Sequence, residues 1–134
     1  MSRLQARFEL FVRDHSASIE FYRRALGFQV TRQEESYVSL QHGDVTIGLG
    51  RISDLPDHDD GPGFSRSRLA EDRGAGVEIV FETDELDEMY RRVQSSGYPL
   101  AAPMTARPWG LRDFRIADPD GYYLRVTEIA DQTS

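Results

Sequence analysis

The sequence contains no cysteine among its 134 residues. This absence excludes a disulfide framework, a thiolate nucleophile and any cysteine-ligated metal site. Long apolar runs are also lacking, since no segment approaches the roughly 20 residues that a membrane-spanning helix needs. The N-terminal segment, Met1–Arg7, is polar and has no apolar core of the kind found in signal peptides. We therefore expect a soluble cytoplasmic protein that does not associate with membranes.

Basic side chains are too few for a nucleic-acid-binding protein. The chain has 16 Lys and Arg residues against 23 Asp and Glu, for a formal net charge of −7. A net negative charge repels phosphate backbones and favours cationic ligands at long range. Nucleic acid is therefore not an expected partner, and the length corresponds to a single domain, 1–134.

The three histidines are too scattered to form a metal or catalytic site. His15 lies at a predicted helix start, His42 lies in a predicted turn, and His58 lies in an acidic segment. No two of them share a face or a ligand spacing. The run Asp57–Asp60 would hold a cation only weakly, and a solvated loop is the simpler interpretation. No Ser-His-Asp, Cys-His or phosphate-loop pattern is present, so the sequence predicts no catalytic residue and no cofactor.

A hairpin is predicted near the end of the chain, within 108–128. Its turn is Asp118-Pro-Asp-Gly121, because Pro119 presets one φ angle and Gly121 adopts positive φ without steric cost. Apolar residues alternate with polar ones on both sides of this turn, as expected of strands with one buried face. The alternating residues are Phe114 and Ile116 before the turn, and Tyr122, Leu124 and Val126 after it.

The first part of the chain predicts a strand, a helix and about three further strands. Phe8–Val12 has strand character, and the capping residues Asp14 and Ser16 precede a helix that Gly27 ends. Apolar residues recur at helical spacing between these limits. The later strands are predicted around Phe28–Val30, Tyr37–Leu40 and Val45–Leu49, with a turn at His42–Asp44.

The second part of the chain repeats this pattern. Val77–Glu82 has strand character, and Asp84 is predicted to cap a helix that ends at Gly97. The spacing from Asp84 to Gly97 equals that from Asp14 to Gly27, which indicates an internal duplication of a βαβββ module. The helix carries apolar residues at helical spacing, namely Leu86, Met89, Tyr90 and Val93.

The duplication divides the chain into module one at 7–50, module two at 77–129, and a connecting loop at 51–76. The loop is rich in Asp, Pro, Gly, Ser and Arg, with a short helix over Ser65–Asp72 as an option. Connections of this length are either linkers or functional lids, and the sequence favours neither.

The chain resembles the vicinal oxygen chelate superfamily, which includes glyoxalases, extradiol dioxygenases and bleomycin-resistance proteins. The resemblance covers Phe8–Glu128, and its most specific motifs are Asp14 with Leu26-Gly27-Phe28 and the closing hairpin after Trp109-Gly110. It implies an α+β fold in which two βαβββ modules form a partly closed, curved sheet around a concave pocket. It also implies a homodimer.

Members of this superfamily that are enzymes hold a divalent metal at four inward-facing strand positions. Matching motifs place these positions at Arg7, Gly48, Glu78 and Arg125, of which only Glu78 is able to ligate a metal. Guanidinium groups are always protonated and have no acceptor lone pair. We therefore predict a metal-free pocket, in which Arg7, Glu78 and Arg125 either form a structural charge cluster or leave one arginine to bind a ligand carboxylate or phenolate.

Without a metal, the chain most resembles the bleomycin-resistance branch, whose members bind an antibiotic in grooves without altering it. The resemblance implies sequestration of an antibiotic or a similar aromatic or cationic natural product. A planar ligand would stack on Trp109, with Tyr37, Phe64 or Phe114 as the second aromatic surface. The alternative for Trp109 is a loop plug that packs on its own domain.

An enzyme is the alternative function. It would be a divergent metal-dependent lyase or dioxygenase, or a metal-free isomerase or cyclase with Glu78 as its base.

Overall fold

The computed structural model of the chain describes residues 4–57, 64–69 and 76–130. These residues form two α-helices and eight strands in two four-stranded sheets. They divide into unit one, 4–23 with 27–57 and 64–69, and unit two, 24–26 with 76–130. Each sheet has one parallel and two antiparallel strand pairs. The predicted α+β class with two βαβββ modules is confirmed, and no helix in the described ranges is long and apolar enough to cross a bilayer.

Unit one begins with strand β1 and helix α1, and three antiparallel strands follow. The strand order in its sheet is β1-β4-β3-β2, with β1 parallel to β4. Two short 3-10 turns, Ile52–Asp54 and Ser67–Leu69, come after the last strand. The elements are β1 (Phe8–Val12), α1 (His15–Leu26), β2 (Gln29–Gln33), β3 (Tyr37–His42) and β4 (Val45–Arg51).

The limits of α1 agree with the capping signals in the sequence. The Asp14 carboxylate accepts hydrogen bonds from the backbone N–H groups of Ser16 (2.9 Å) and Ala17 (3.3 Å). Gly27 ends the helix in the left-handed conformation with φ 74°. The ring Nε2 of His15 lies 2.9 Å from the carbonyl oxygen of Leu49, so the helix start is tied to β4.

The sheet of unit one has a buried apolar face and a polar face. In register, Glu9 lies opposite Gly48 and Gly48 lies opposite Ser39, so these three residues share one face. We call this side the polar face of unit one; it also carries Phe11, Tyr37 and Gly50. The other face is buried and consists of Leu10, Val12, Val38, Leu40, Ile47 and Leu49.

Unit two repeats the order of elements, with the sheet order β5-β8-β7-β6. The predicted helix cap at Asp84 is wrong by one residue. The cap is Glu85, whose side chain makes no capping bond, and whose backbone N–H donates instead to Thr83 Oγ1 at 3.0 Å. The elements are β5 (Ile79–Thr83), α2 (Leu86–Ser96), β6 (Leu100–Ala106), β7 (Arg112–Ala117) and β8 (Tyr123–Glu128).

Strand β6 was not located by the sequence analysis. It forms an edge of the sheet and pairs with β7, but the register shifts between Leu100 and Ala102 and again between Ala102 and Thr105. Pro103 lies within the second irregular stretch. Because proline has no N–H to donate, its presence is compatible with an edge strand and not with a central one.

The predicted closing hairpin is confirmed. Gly121 has φ 92° and donates its N–H to the Asp118 carbonyl at 2.9 Å. The Asp118 carboxylate accepts from the N–H groups of Asp120 and Tyr122, each at 2.9 Å, which fixes the turn from inside. The apolar residues of β7 and β8 are fully buried, namely Phe114, Ile116, Leu124 and Val126.

The opposite face of this hairpin carries polar residues. Asp113 lies opposite Thr127, and Arg115 lies opposite Arg125. With Tyr123 and Glu78, these residues form what we call the polar face of unit two.

Part of the connecting loop is also described. The N–H of Arg66 donates to the Pro56 carbonyl at 2.9 Å, and the N–H of Ser67 donates to the Asp57 carbonyl at 3.2 Å. Of the optional helix over Ser65–Asp72, a 3-10 turn at Ser67–Leu69 is observed, and 70–72 lie outside the described residues. Residues 58–60 of the acidic run Asp57–Asp60 also lie outside the described residues.

Candidate functional site

The polar face of unit one centres on Arg7, Glu9 and Tyr37. Arg7 Nε lies 2.7 Å from Glu9 Oε1, and the Arg7 guanidinium also donates to the Tyr37 hydroxyl. That hydroxyl lies 3.0 Å from both Glu9 carboxylate oxygens. Burial, together with the hydrogen bond to Glu9, raises the pKa of Tyr37 above its ordinary value. The phenol therefore remains protonated at neutral pH and is available as a hydrogen-bond donor.

Two glycines of β4 make room for this cluster. A Cβ atom at Gly48 would overlap the Glu9 carboxylate and the Tyr37 hydroxyl. A Cβ atom at Gly50 would lie 3.2 Å from the Phe11 ring, closer than ordinary van der Waals contact. Side chains from β1 and β3 thus occupy the space in front of β4. Gly48, one of the four metal positions implied by the resemblance, contributes this space and no ligand atom.

An aromatic pair lies beside these residues. The Phe11 and Phe64 ring centroids are 4.7 Å apart with an interplanar angle of 43°. Phe64 is 55% exposed although it contacts Phe11, so one side of its ring remains open to solvent. The loop residue Phe64 and the strand residue Tyr37, both predicted as ligand contacts, therefore lie in unit one.

The polar face of unit two contains the other two implied metal positions. Arg125 Nε donates to Glu78 Oε1 at 2.9 Å. Thus Glu78 pairs with Arg125 within unit two, whereas Arg7 pairs with Glu9 and Tyr37 within unit one.

A buried carboxylate that the sequence analysis missed lies beside this pair. Asp113 is fully buried, and its Oδ1 lies 3.0 Å from both Nε and Nη2 of Arg107. Arg115 Nε is 3.8 Å from Asp113 Oδ1, and Arg125 Nη1 is 3.7 Å from Asp113 Oδ2. Three guanidiniums therefore surround one buried carboxylate. The alternation of polar and apolar residues around Phe114 did place Asp113 on the face opposite the core. This alternation is the sequence feature from which Asp113 could have been predicted as a site residue.

Arg115 also contacts an aromatic ring on the same face. Its Nη1 donates to the Tyr123 hydroxyl at 3.1 Å, and its guanidinium carbon is 5.9 Å from the ring centroid. The hydrogen bond to Tyr123 raises the pKa of Arg115 above its ordinary value. Among the described residues, Arg115 Nε and Asp113 Oδ2 are buried without a hydrogen-bond partner. Buried polar atoms are normally paired, so these two call for an explanation.

Trp109 and Phe114 occupy different environments. Trp109 lies in the turn between β6 and β7, where Gly110 has φ 94° and donates its N–H to the Arg107 carbonyl at 3.0 Å. Its side chain is 57% exposed. Phe114 is fully buried, and its ring centroid is 5.1 Å from that of Tyr90 on α2. Phe114 thus belongs to the apolar core and does not line an open surface.

Arg112 lines an acidic cleft of about 310 Å³ at the start of α2. It binds Asp87 at 3.0 and 3.3 Å and Glu128 at 3.1 Å, and its backbone N–H donates to Glu128 at 2.7 Å. These bonds lower the pKa of Glu128 and of Asp87. Both carboxylates are therefore engaged by Arg112 and have a structural role.

The superfamily's metal does not fit this donor set. The four implied positions carry two guanidiniums, one glycine and one carboxylate, and that carboxylate is hydrogen-bonded to Arg125. A divalent cation requires several lone-pair donors around one point. Within the described ranges, no group of three or more His, Cys, Asp or Glu side chains is placed to hold a metal.

We expect purified protein to carry no stoichiometric zinc, nickel, iron or manganese. Arg7 and Arg125 place positive charge where a metal would bind, so a chelator should leave the unfolding temperature unchanged. Elemental analysis together with thermal unfolding with and without chelator measures both quantities. One tightly bound transition metal per chain would contradict the prediction.

The strand and helix order defines a protein of two βαβββ modules, and its metal positions lack a ligand set. Comparison with known proteins identifies its family. Residues 4–126 match the Glyoxalase/Bleomycin resistance protein/Dioxygenase superfamily. The chain therefore belongs to that superfamily, and the predicted resemblance is confirmed. A search of curated proteins finds no match.

Several solved structures share this fold. The bleomycin resistance determinant encoded on transposon Tn5 is 25% identical, with a TM-score of 0.69 over 94% of this chain and 98% of that one. A bleomycin-binding protein complexed with bleomycin is 24% identical, with a TM-score of 0.67 over 96% and 100%. Lactoylglutathione lyase from Agrobacterium tumefaciens is 22% identical, with a TM-score of 0.72 over 96% and 94%. A resistance determinant, a bleomycin-binding protein and a lyase are thus all among the similar structures.

Proposed function

We propose that this protein is a metal-free binding protein that sequesters an antibiotic or a similar aromatic natural product. The observation that carries the proposal is the chemistry at the four metal positions. Arg7 is bound to Glu9 and Tyr37, Gly48 provides space, and Arg125 is bound to Glu78. These side chains present hydrogen-bond donors and a protonated phenol, which suit recognition of a polar ligand group.

Exposed aromatic rings in both units support the proposal. Trp109 in unit two and Phe64 in unit one are each more than half exposed. Exposed aromatic rings offer flat surfaces on which planar ligands stack. The similarity to the bleomycin resistance determinant of Tn5 is in keeping with such a role.

Trp109 provides a direct test because it is the only tryptophan in the chain. We expect a planar antibiotic, with bleomycin as the first probe, to change Trp109 emission saturably at a fixed number of ligands per chain. Trp109→Ala should weaken binding by roughly 1–3 kcal/mol, because an exposed aromatic anchor contributes contact area without supporting the core. Calorimetric titration of both proteins measures this difference.

Trp109→Phe is the matched control, since it retains an aromatic face and should keep most of the affinity. If Trp109→Ala instead unfolds the protein, the residue is a loop plug. Mass spectrometry of the ligand after long incubation separates sequestration from catalysis. Recovery of unmodified ligand supports sequestration, whereas product formation supports the enzyme alternative with Glu78 as base.

A homodimer is part of the proposal, because a groove shared between two copies requires a two-fold pair. Light scattering at micromolar concentration should then report about twice the chain mass of 15.3 kDa. A monomer over that range would place the ligand site within one chain.

A further inference from the structure

Two arginines face each other on the polar face of unit two. Arg115 on β7 lies directly opposite Arg125 on β8. Like charges at opposed positions of neighbouring strands are destabilising unless an anion neutralises them. Arg125 Nε is hydrogen-bonded to Glu78 at 2.9 Å. The carboxylate nearest to Arg115 is that of Asp113, which lies 3.8 Å from Arg115 Nε and thus beyond hydrogen-bond distance. The described carboxylates therefore leave Arg115 incompletely neutralised.

Two of the three arginines on this face have a bound carboxylate. Glu78 is hydrogen-bonded to Arg125, and Asp113 is hydrogen-bonded to Arg107. Glu82 lies on the same face by its register with Thr127, which is opposite Asp113. Among the described residues, no carboxylate lies within hydrogen-bond distance of Arg115.

The arginine pair is not a requirement of the fold. In unit one, the register equivalents of Arg115 and Arg125 are Ser39 and Gly48, which also lie opposite each other on the central strands. The same fold therefore forms in the other module with small, uncharged residues at these two positions.

The pair is also partly accessible, since the side chains of Arg115 and Arg125 are 24% and 22% exposed. Arg115 Nη1 donates to the Tyr123 hydroxyl, and Arg115 Nε is buried without a hydrogen-bond partner among the described residues. A ligand carboxylate would therefore bind at the terminal nitrogens of the guanidinium. A guanidinium presents N–H groups in a planar fork that matches the two oxygens of a carboxylate. The Tyr123 ring, 5.9 Å from the Arg115 guanidinium carbon, offers an adjacent surface for a planar group.

We propose that the polar face of unit two binds the carboxylate of an aromatic ligand, with Arg115 as the main anion-binding residue and Tyr123 against the ring. This inference rests on the proposed function and narrows its ligands to aromatic compounds that carry a carboxylate. Arg125 supports the anion from the opposite strand while it remains paired with Glu78. Arg107, held by Asp113, acts as a positioning residue.

The test uses benzoate as the probe and ¹⁵N-labelled full-length protein observed by NMR. The side-chain Nε–H resonances of arginine report directly on guanidinium hydrogen bonding. Benzoate should shift the Arg115 Nε–H resonance saturably, whereas its neutral isostere benzamide should shift it at least about tenfold less at equal concentration. Comparable effects of benzoate and benzamide on the wild-type protein would overturn the inference, and this comparison requires no variant.

Variants sharpen the assignment. Arg115→Gln should weaken benzoate binding by at least about tenfold, because it removes a charge-assisted hydrogen bond. Arg115→Lys should recover only part of the affinity, since an ammonium lacks the planar fork. The matched control is Arg91→Gln on the exposed surface of α2, which should leave benzoate affinity unchanged. Unchanged affinity in Arg115→Gln, with its amide spectrum still dispersed, would overturn the inference.

A parallel titration with bleomycin, followed by Trp109 emission, distinguishes this inference from the proposed function. A protein that binds bleomycin but does not respond to benzoate would retain the proposed function and overturn the carboxylate site. An Arg115-dependent response to benzoate without bleomycin binding would support the carboxylate site and exclude that antibiotic as its ligand.

Discussion

Replacing Phe114 by alanine should lower the free energy of unfolding by about 3–5 kcal/mol, the usual cost of removing a fully buried phenylalanine ring. Phe114 is completely buried between β7 and α2, where it contacts Tyr90. The cavity left by the ring removes these contacts, and the surrounding structure refills it only partly. Chemical denaturation of the two proteins, compared at constant m-value, measures the difference.

Phe64→Ala is the matched control for this substitution. It removes the same ring from a position that is 55% exposed and contacts Phe11. Its cost should stay below about 1 kcal/mol, since less surface leaves water on folding. If Phe114→Ala left stability intact and abolished ligand binding, the ring would be a ligand contact, as the sequence alone allowed.

Asp113→Ala should destabilise the protein by about 2–4 kcal/mol. Removing one partner from a buried ion pair usually costs about 3–5 kcal/mol, because the remaining charge is left without compensation. Here the guanidiniums of Arg107, Arg115 and Arg125 are about three-quarters buried, so solvent reduces part of that cost. Denaturant unfolding at low salt gives the value, and added salt should recover a fraction of the loss.

The matched control is Asp87→Ala, which also removes a carboxylate bound to an arginine. The Asp87 side chain is 62% exposed, and its partner Arg112 keeps Glu128 as a second partner. Surface ion pairs contribute little to stability. Equal losses for Asp113→Ala and Asp87→Ala would show that Asp113 is not a buried structural charge.

Local signals in the sequence were sufficient to predict most elements of the fold. The Asp14 carboxylate and Gly27 determine the two ends of α1 through bonds within a few residues, so the sequence specifies them directly. The same is true of the turn from Asp118 to Gly121, where the Asp118 carboxylate and carbonyl accept hydrogen bonds from residues no more than four positions away. Repetition of these signals then revealed the duplicated module.

The features that were missed depend on distant partners or on weak local patterns. Strand β6 contains Ala101, Ala102 and Pro103, residues with little strand propensity, and it is held by pairing with β7. At the start of α2, the consecutive acidic residues Asp84 and Glu85 offer equivalent capping signals.

The candidate site was predicted only in part for the same reason. The motif spacing did identify Arg7, Gly48, Glu78 and Arg125 as positions on the polar faces. The role of Asp113 arises only when Arg107, six residues earlier, folds back onto it from the turn. Strand alternation assigns Asp113 and Phe114 to opposite faces, but it does not say which face receives a ligand.

The irregular strand β6 also affects how the protein behaves at high concentration. Open sheet edges are templates on which another chain can add a strand, which leads to aggregation. At the β6 edge, Pro103 removes a hydrogen-bond donor and the register shifts interrupt the regular ladder. At the β2 edge of the other sheet, the register shifts between Val30 and Arg32, and Arg32 carries an exposed charge. Both features also hinder the addition of another strand. These features protect both antiparallel edges against polymerisation, a property that would suit the proposed sequestering role, in which the protein has to accumulate to match the amount of its ligand.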